Sequence, residues 1–222
     1  MNYDSVPLRD FKELNDWETV IFVYQSALKQ VETKIDILNG EFQHRHKYNP
    51  IEHVKSRIKT PESIVKKLKR HGYESSIENM VRYVNDIAGI RISCSFTSDI
   101  YLIADMISKQ NDLTILARRD YMKNPKKSGY RSYHMLVTTP VFLSDSIIDT
   151  KVEIQIRTVA QDFWATLEHK MHYKFEGDGP DYITKELREC ARYVAELDTR
   201  MEELNNEIQK YGKSSDKNEK SP

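Results

Sequence analysis

From Phe11 to Leu38 the apolar residues Phe11, Leu14, Trp17, Ile21, Tyr24, Leu28, Val31, Ile35 and Leu38 recur at steps of three and four. That spacing predicts a long amphipathic helix, ending at the Asn39-Gly40 pair. A second register, Ile183, Leu187, Cys190, Val194, Leu197, Met201, Leu204 and Ile208, runs toward the C-terminus and assigns Glu196, Glu202, Glu203 and Glu207 to its outer faces. Each seam can pack on its own domain or serve self-association, and the pattern leaves both open. The final stretch "GKSSDKNEKSP" has nothing to bury and reads as a disordered tail.

Between these helices the period shortens to two. In "IRISCSF", Ile90, Ile92, Cys94 and Phe96 alternate with Arg91, Ser93 and Ser95; in "KVEIQIRT", Val152, Ile154 and Ile156 alternate with Glu153, Gln155 and Arg157. Both are the signature of a strand with one buried face. "LTILARRDY" and "YRSYHMLVTTP" supply two weaker strands, "SDIYLIADMISKQ" reads as a helix starting at Ser98 or Asp99, and "RTVAQDFWATLEHKMHYKF" as another. Helices flanking a small mixed sheet define an α+β chain. The expected organisation is a helical region over 1–48, a catalytic domain over 49–175, a helical region over 176–211 and a tail over 212–222.

Composition narrows the partners. The 34 basic and 34 acidic side chains cancel, so bulk charge argues for neither DNA nor a membrane surface, and local charge must carry any such case. No apolar run approaches a membrane span and the start lacks a signal pattern, which predicts a cytoplasmic protein. Cys94 and Cys190 lie far apart without CxxC spacing and read as buried thiols in a reducing compartment.

The polar faces of the two best strands carry candidate chemistry. Asp86 precedes one strand and Arg91 lies on it, while Glu153 and Gln155 project from the other. If the strands are neighbours, Asp86 and Glu153 converge on one hard cation, and two carboxylates with open positions suit Mg²⁺ held against a polyphosphate. Carboxylates on solvent-facing strand positions are common, so spacing leaves a purely structural reading open. Two basic segments shift the balance toward a nucleoside triphosphate: "KSRIKTPESIVKKLKR", whose "TPES" has the cap and N1 proline of a helix start, and the run Arg118, Arg119, Lys123, Lys126, Lys127 and Arg131. The second run ends in "NPKKSGYRSYH", where the Ser128-Gly129 step allows close backbone approach and Tyr130 offers a flat face to a base. No GxxxxGKS loop is present, so a P-loop NTPase is not supported. Glu168, His169 and His172 share one helix but lack the ligand count of a metal site, and His44 and His46 read as solvated or interfacial.

Taken in order, "RIKTPESIVKKL", "DIAGIRISCSF", "PKKSGYRSYH", "VEIQIRT" and "DFWATLEHK" resemble the synthetase domain of RelA/SpoT-type alarmone synthetases. With no hydrolase or regulatory segment flanking it, the chain is similar to the stand-alone small alarmone synthetases, and "YNPIEHVKSR" leans toward their RelP/YwaC branch rather than RelQ. The resemblance implies a nucleotidyltransferase-like sheet and a GTP diphosphokinase, transferring the β,γ-diphosphate of ATP to the 3′-oxygen of GDP or GTP with Mg²⁺. It implies Arg57, Lys59, Ser63, Lys67 and Arg91 on the ATP side, and Lys126, Tyr130, His134 and Gln155 on the acceptor. Asp86 and Glu153 would hold the metal, with Glu153 helping to deprotonate the ribose hydroxyl. Relatives of this type form homotetramers, so an oligomer is expected. Two other readings remain: a nucleotidyltransferase that releases pyrophosphate, and a non-catalytic RNA-binding protein using the same basic segments.

Overall fold

A five-stranded mixed sheet organises the chain in a computed structural model that describes residues 16–174 and 180–218. Its strands are β1 (Ile51–Ile58), β2 (Ala88–Cys94), β3 (Thr114–Asp120), β4 (Tyr133–Phe142) and β5 (Ile147–Thr158), in the order β1-β2-β5-β4-β3. Only β2 and β5 pair in parallel; every other neighbour is antiparallel. The helices are α1 (Trp17–His46), α2 (Pro61–Arg70), α3 (Ile77–Tyr83), α4 (Thr97–Ser108), α5 (Val159–Lys174) and α6 (Asp181–Asn218). The architecture is the expected α+β, with long helices at both ends.

α1 and α4 cover one face of the sheet. Val20, Val23, Tyr24, Ala27, Leu28, Val31 and Ile35 of α1 are buried there, as are Ile100, Ile103 and Ile107 of α4. They meet Ile90, Ile92, Met135, Val137, Ile154 and Ile156 in one continuous core. Burying that many aliphatic side chains, at about 1.5–3 kcal/mol each, is what holds the sheet flat side down. The seam of α1 therefore packs on its own domain.

Several expectations need correction. α1 does not stop at Asn39-Gly40 but runs to His46, where Lys47 caps it in the left-handed conformation (φ 51°). A helical glycine costs only about 1 kcal/mol, and nothing crowds Gly40. Its predicted first turn at Phe11 and Leu14 lies outside the described residues, and His44 and His46 fall in its exposed last turn. α4 starts at Thr97, ahead of Ser98, because the Asp99 carboxylate accepts the Phe96 N–H at 3.1 Å. α6 continues through 212–218, where a tail was expected, since propagating a formed helix is cheap and no proline intervenes before Pro222. Its last four neighbours, 219–222, lie outside the described residues.

The second seam divides along its length: Leu187 and Val194 are half-buried, Val194 packing beside Ala191, but the later positions turn outward. Ala191 is buried and Glu202 faces the domain, accepting the Ser98 N–H at 3.1 Å, whereas Leu197, Met201, Leu204 and Ile208 are all about half exposed or more. Cys190 likewise points outward, while Cys94 is buried. Beyond Val194 the contacts of α6 to the rest of the chain are made by the polar Asp198 and Glu202, so the apolar spacing there points to the other side.

Candidate active site

Strand register builds the site. On the sheet face opposite the core, one row crosses the strands as Arg57, Gly89, Glu153, Leu136 and Ala117; the next runs Lys55, Arg91, Gln155, His134 and Arg119. Because side chains alternate faces, each row points to the same side, and the intervening isoleucines point to the core. The parallel pairing that sets Gly89 against Glu153 is what brings the two sequence motifs together. Gly89 leaves the room that a larger residue would fill beside the Arg57 side chain, 3.9 Å from the Cβ position.

Two small clefts open on this face. One, of about 150 Å³, is lined by Lys55, Arg57, Asp86, Gly89, Arg91, Glu153 and Gln155. The other, of about 160 Å³, is lined by Lys67, Asn85, Asp86, Arg119, His134 and Glu153. Asp86 and Glu153 belong to both. The pair expected from the strand faces thus stands on the boundary between two cation-bearing clefts.

Each carboxylate is embedded in a network. Asp86 Oδ2 accepts from Lys59 Nζ at 2.8 Å and Oδ1 from Lys67 Nζ at 2.7 Å. Burial alone would raise its pKa, but the two ammonium groups outweigh burial and pull it down to about 2. Glu153 Oε2 accepts from Gln155 Nε2 at 2.9 Å, and Oε1 lies 3.5 Å from His134 Nδ1. Burial again pushes its pKa up, and Asp86 adds to that push, yet the His134 and Gln155 contacts leave it below the usual carboxylate range. Both carboxylates are charged at neutral pH.

The turn Asn124–His134 forms a third cluster. Tyr130 Oη shares a 2.9 Å hydrogen bond with His134 Nε2, and Lys126 Nζ stands 4.8 Å from the Tyr130 ring centroid and 4.9 Å from that of Tyr121. Tyr130 packs against Trp164, Ala165 and Ala191, with Val194 beside it. Gly129, at φ +91°, serves a purpose other than the ligand approach expected of it. A Cβ there would lie 2.5 Å from Ala191 Cβ, so the glycine lets the turn settle on α6.

Of the expected residues, the fold gathers Asp86, Glu153, Arg57, Lys59, Lys67, Arg91, His134 and Gln155 on one face. Gln155 lines the cleft with Arg57 and Arg91. Lys126 and Tyr130 line neither cleft and join the face through His134. Ser63 stays in the first turn of α2, its hydroxyl accepting from Thr60 Oγ1 at 3.0 Å. Among the described residues no group of three or more His, Cys, Asp or Glu could hold a metal; His169 is exposed on α5, and the side chain of His172 lies outside the described residues.

Sequence reading missed Asn85, Lys151 and Asp162. Lys151 is buried, its pKa lowered to about 8 by that burial, and donates to Asn85 Oδ1 at 2.7 Å, tying the turn that carries Asp86 to β5. Its place two residues before Glu153 on the same strand face was the available signal. Asp162, in the first turn of α5, meets Arg157 and Arg91. Nothing in "TVAQDF" marks it beyond an acid following a strand that ends in arginine.

These features coincide with a family match. Residues 56–178 match the RelA_SpoT family, the region found in RelA / SpoT proteins. The chain belongs to that family. It is similar to GTP pyrophosphokinase YwaC of Bacillus subtilis (strain 168), at 45% identity over 195 residues, covering 88% of this chain and 93% of the relative. Among solved structures it resembles small alarmone synthetase 2 from Bacillus subtilis, with a TM-score of 0.80 and 44% identity over 87% of this chain and all of that one. It also resembles small alarmone synthetase 1 from the same organism bound to its product pppGpp, with a TM-score of 0.81 and 34% identity over 87% of this chain and 98% of that one.

Proposed function

We propose that the chain is a GTP diphosphokinase: it transfers the β,γ-diphosphate of ATP to the 3′-oxygen of GDP or GTP, giving ppGpp or pppGpp and AMP. The observation that carries this reading is the Asp86 and Glu153 pair standing between two cation-lined clefts on one sheet face. A two-substrate phosphoryl-type transfer needs that layout, with a donor on one side, an acceptor on the other and carboxylates between. Relatives named as pyrophosphokinases, and a neighbour bound to pppGpp, support the same chemistry.

Arg57 and Arg91 serve the donor cleft, and Lys59 and Lys67 stand ready to leave Asp86 for phosphate oxygens. Ser63, at the start of α2, supports the phosphates from the helix N-terminus. On the acceptor side Tyr130 takes the guanine, and Lys126 and His134 the phosphates and ribose; Gln155, between the Arg91 and His134 strands, orients Glu153 toward the acceptor. Glu153 accepts the proton of the 3′-hydroxyl as that oxygen forms its bond to the β-phosphorus; the bond to the α,β-bridging oxygen breaks, and AMP departs with the electron pair. Fixed cations on both flanks stabilise the charge that develops.

The donor set fits Mg²⁺. Asp86 and Glu153 offer hard oxygens close enough to repel one another, and two carboxylates leave positions that phosphate oxygens and water complete. When bound, the ion would neutralise charge on the diphosphate. Incubation with labelled ATP, Mg²⁺ and GDP or GTP tests the function: AMP and a 3′-diphosphorylated guanosine nucleotide are expected. Pyrophosphate release would instead mark nucleotidyl transfer, and formation of neither product by the unaltered chain would point to binding alone.

The exposed apolar stripe of α6 supports a homo-oligomer, a tetramer with terminal helices in its contacts. No described helix is long and apolar enough to cross a membrane, and the nucleotide substrates suit a cytoplasmic setting.

A further inference from the structure

Asp162 lines neither cleft and stands in the wall behind them. Its Oδ1 lies 2.7 Å from Arg157 Nη2 and 3.6 Å from Arg91 Nη1, and its Oδ2 lies 4.0 Å from Lys55 Nζ. The side chain keeps 14% of its exposure, Arg157 only 2% and Arg91 32%. The two arginines reach different neighbours. Arg91 lines the cleft with Arg57 and Gln155, while the Arg157 guanidinium lies 6.0 Å from the centroid of the Tyr130 ring.

Elementary electrostatics makes Asp162 necessary to this arrangement. Ser93 separates Arg91 from its own strand's end, and its β5 partner is Arg157, so Arg91 and Arg157 lie on adjoining strands and the same sheet face. Two guanidinium groups brought together in a part-buried wall repel, and each pays for lost hydration. Asp162 enters between them because α5 begins directly after β5, which leaves its first turn at the end of both strands. The ion pairs do not satisfy every donor: Nε of Arg91 and Nε of Arg157 are buried without a hydrogen-bond partner. Such groups hold position through charge, and their direction is set by the one anion they share.

We infer that Asp162 is a positioning residue for both nucleotide subsites, its carboxylate fixing Arg91 toward the donor cleft and Arg157 beneath Tyr130. The inference rests on the GTP diphosphokinase reading for the identity of the two nucleotides. Asp162 touches neither substrate. Removing its charge releases Arg91 and Arg157 together, so one substitution loosens two sites that otherwise have separate ligands.

The test measures donor and acceptor binding separately, with a non-hydrolysable ATP analogue and with GDP, by calorimetry on the full chain, and then KM and kcat for each substrate. In Asp162→Asn both affinities and both KM values should worsen by about tenfold, as expected when a charge-supported contact is lost, with a smaller change in kcat. Asp162→Glu should restore most of both. A fall in kcat or melting temperature with both affinities intact would overturn the inference, as would an effect on one nucleotide only. Should Asp162→Asn fail to fold because Arg157 is stranded, Asp162→Asn with Arg157→Gln removes both charges. Donor affinity in that double variant should still fall, since Arg91 is released; donor affinity equal to that of the unaltered chain overturns the inference. If the unaltered chain bound both nucleotides yet made no diphosphate-transfer product, the function would be wrong while the binding comparison still decided the role of Asp162.

Discussion

Asp86 carries two ammonium groups on its two oxygens, and that single fact sets its behaviour toward acid. Its folded pKa of about 2 lies below its ordinary 3.8, so the folded state holds fewer protons than the unfolded chain between these values. The stability this contributes is fully present above about pH 4 and is lost as pH falls through about 2, amounting to roughly 2 kcal/mol. Urea unfolding between pH 2 and 6 should show that limb in the unaltered chain and a flatter one in Asp86→Asn. Glu153→Gln should leave a folded protein whose kcat is lower by about 10²–10⁴, the usual weight of a general base, in a single-turnover assay. At the acceptor turn, Tyr130→Ala should cost about 1–3 kcal/mol of GDP affinity, the range for base–aromatic stacking, and Tyr130→Phe should cost less. The phenylalanine variant keeps the ring and loses the hydroxyl contact to His134. Lys126→Ala should weaken GTP more than GDP, and the loss should shrink at high salt; ATP binding should hold in all three variants. The charge on Lys126 now lies over the Tyr130 ring, so a stacking base must move it aside.

At the level of elements, the strands around the site were the most readable part of the chain. Period-two alternation in "IRISCSF" and "KVEIQIRT" assigns Arg91, Glu153 and Gln155 to polar faces, and the observed parallel register makes those faces one. β1 escaped notice for a physical reason. It is an edge strand whose outward residues Glu52, His53, Lys55, Ser56 and Arg57 are all exposed, and a register shift between Ile51 and His53 breaks its alternation. α3 is too short, at seven residues, to show a helical period. Asp162 was hidden because its meaning depends on Arg91, which lies far away in sequence and meets it only after β2 pairs with β5. The turn's glycine tests element packing directly. Gly129→Ala combines a positive φ with a 2.5 Å clash against Ala191, so it should raise the acceptor KM several-fold while leaving the donor KM nearly unchanged in initial-rate assays.

Across the whole molecule, equal numbers of acidic and basic side chains conceal a local gathering of cations on the site face. α6 is the longest element, and its apolar stripe was visible in the sequence while the side it faces was not. Leu197, Met201, Leu204 and Ile208 turn outward because Ala191, Asp198 and Glu202 make the contacts to the rest of the chain. Light scattering at micromolar concentration should therefore report an oligomer, and a Leu204→Glu change should shift it toward smaller species. The close seating of Gly129 on Ala191 gives that shift an enzymatic readout. Ala191 is the floor on which the proposed acceptor turn rests, and at about 1.5 Å per residue it lies only about 9 Å along the same rigid rod from Leu197. Whatever grips the outer edge of that rod steadies the floor as well, so diluting the protein should slacken its hold on guanine nucleotide before its hold on ATP.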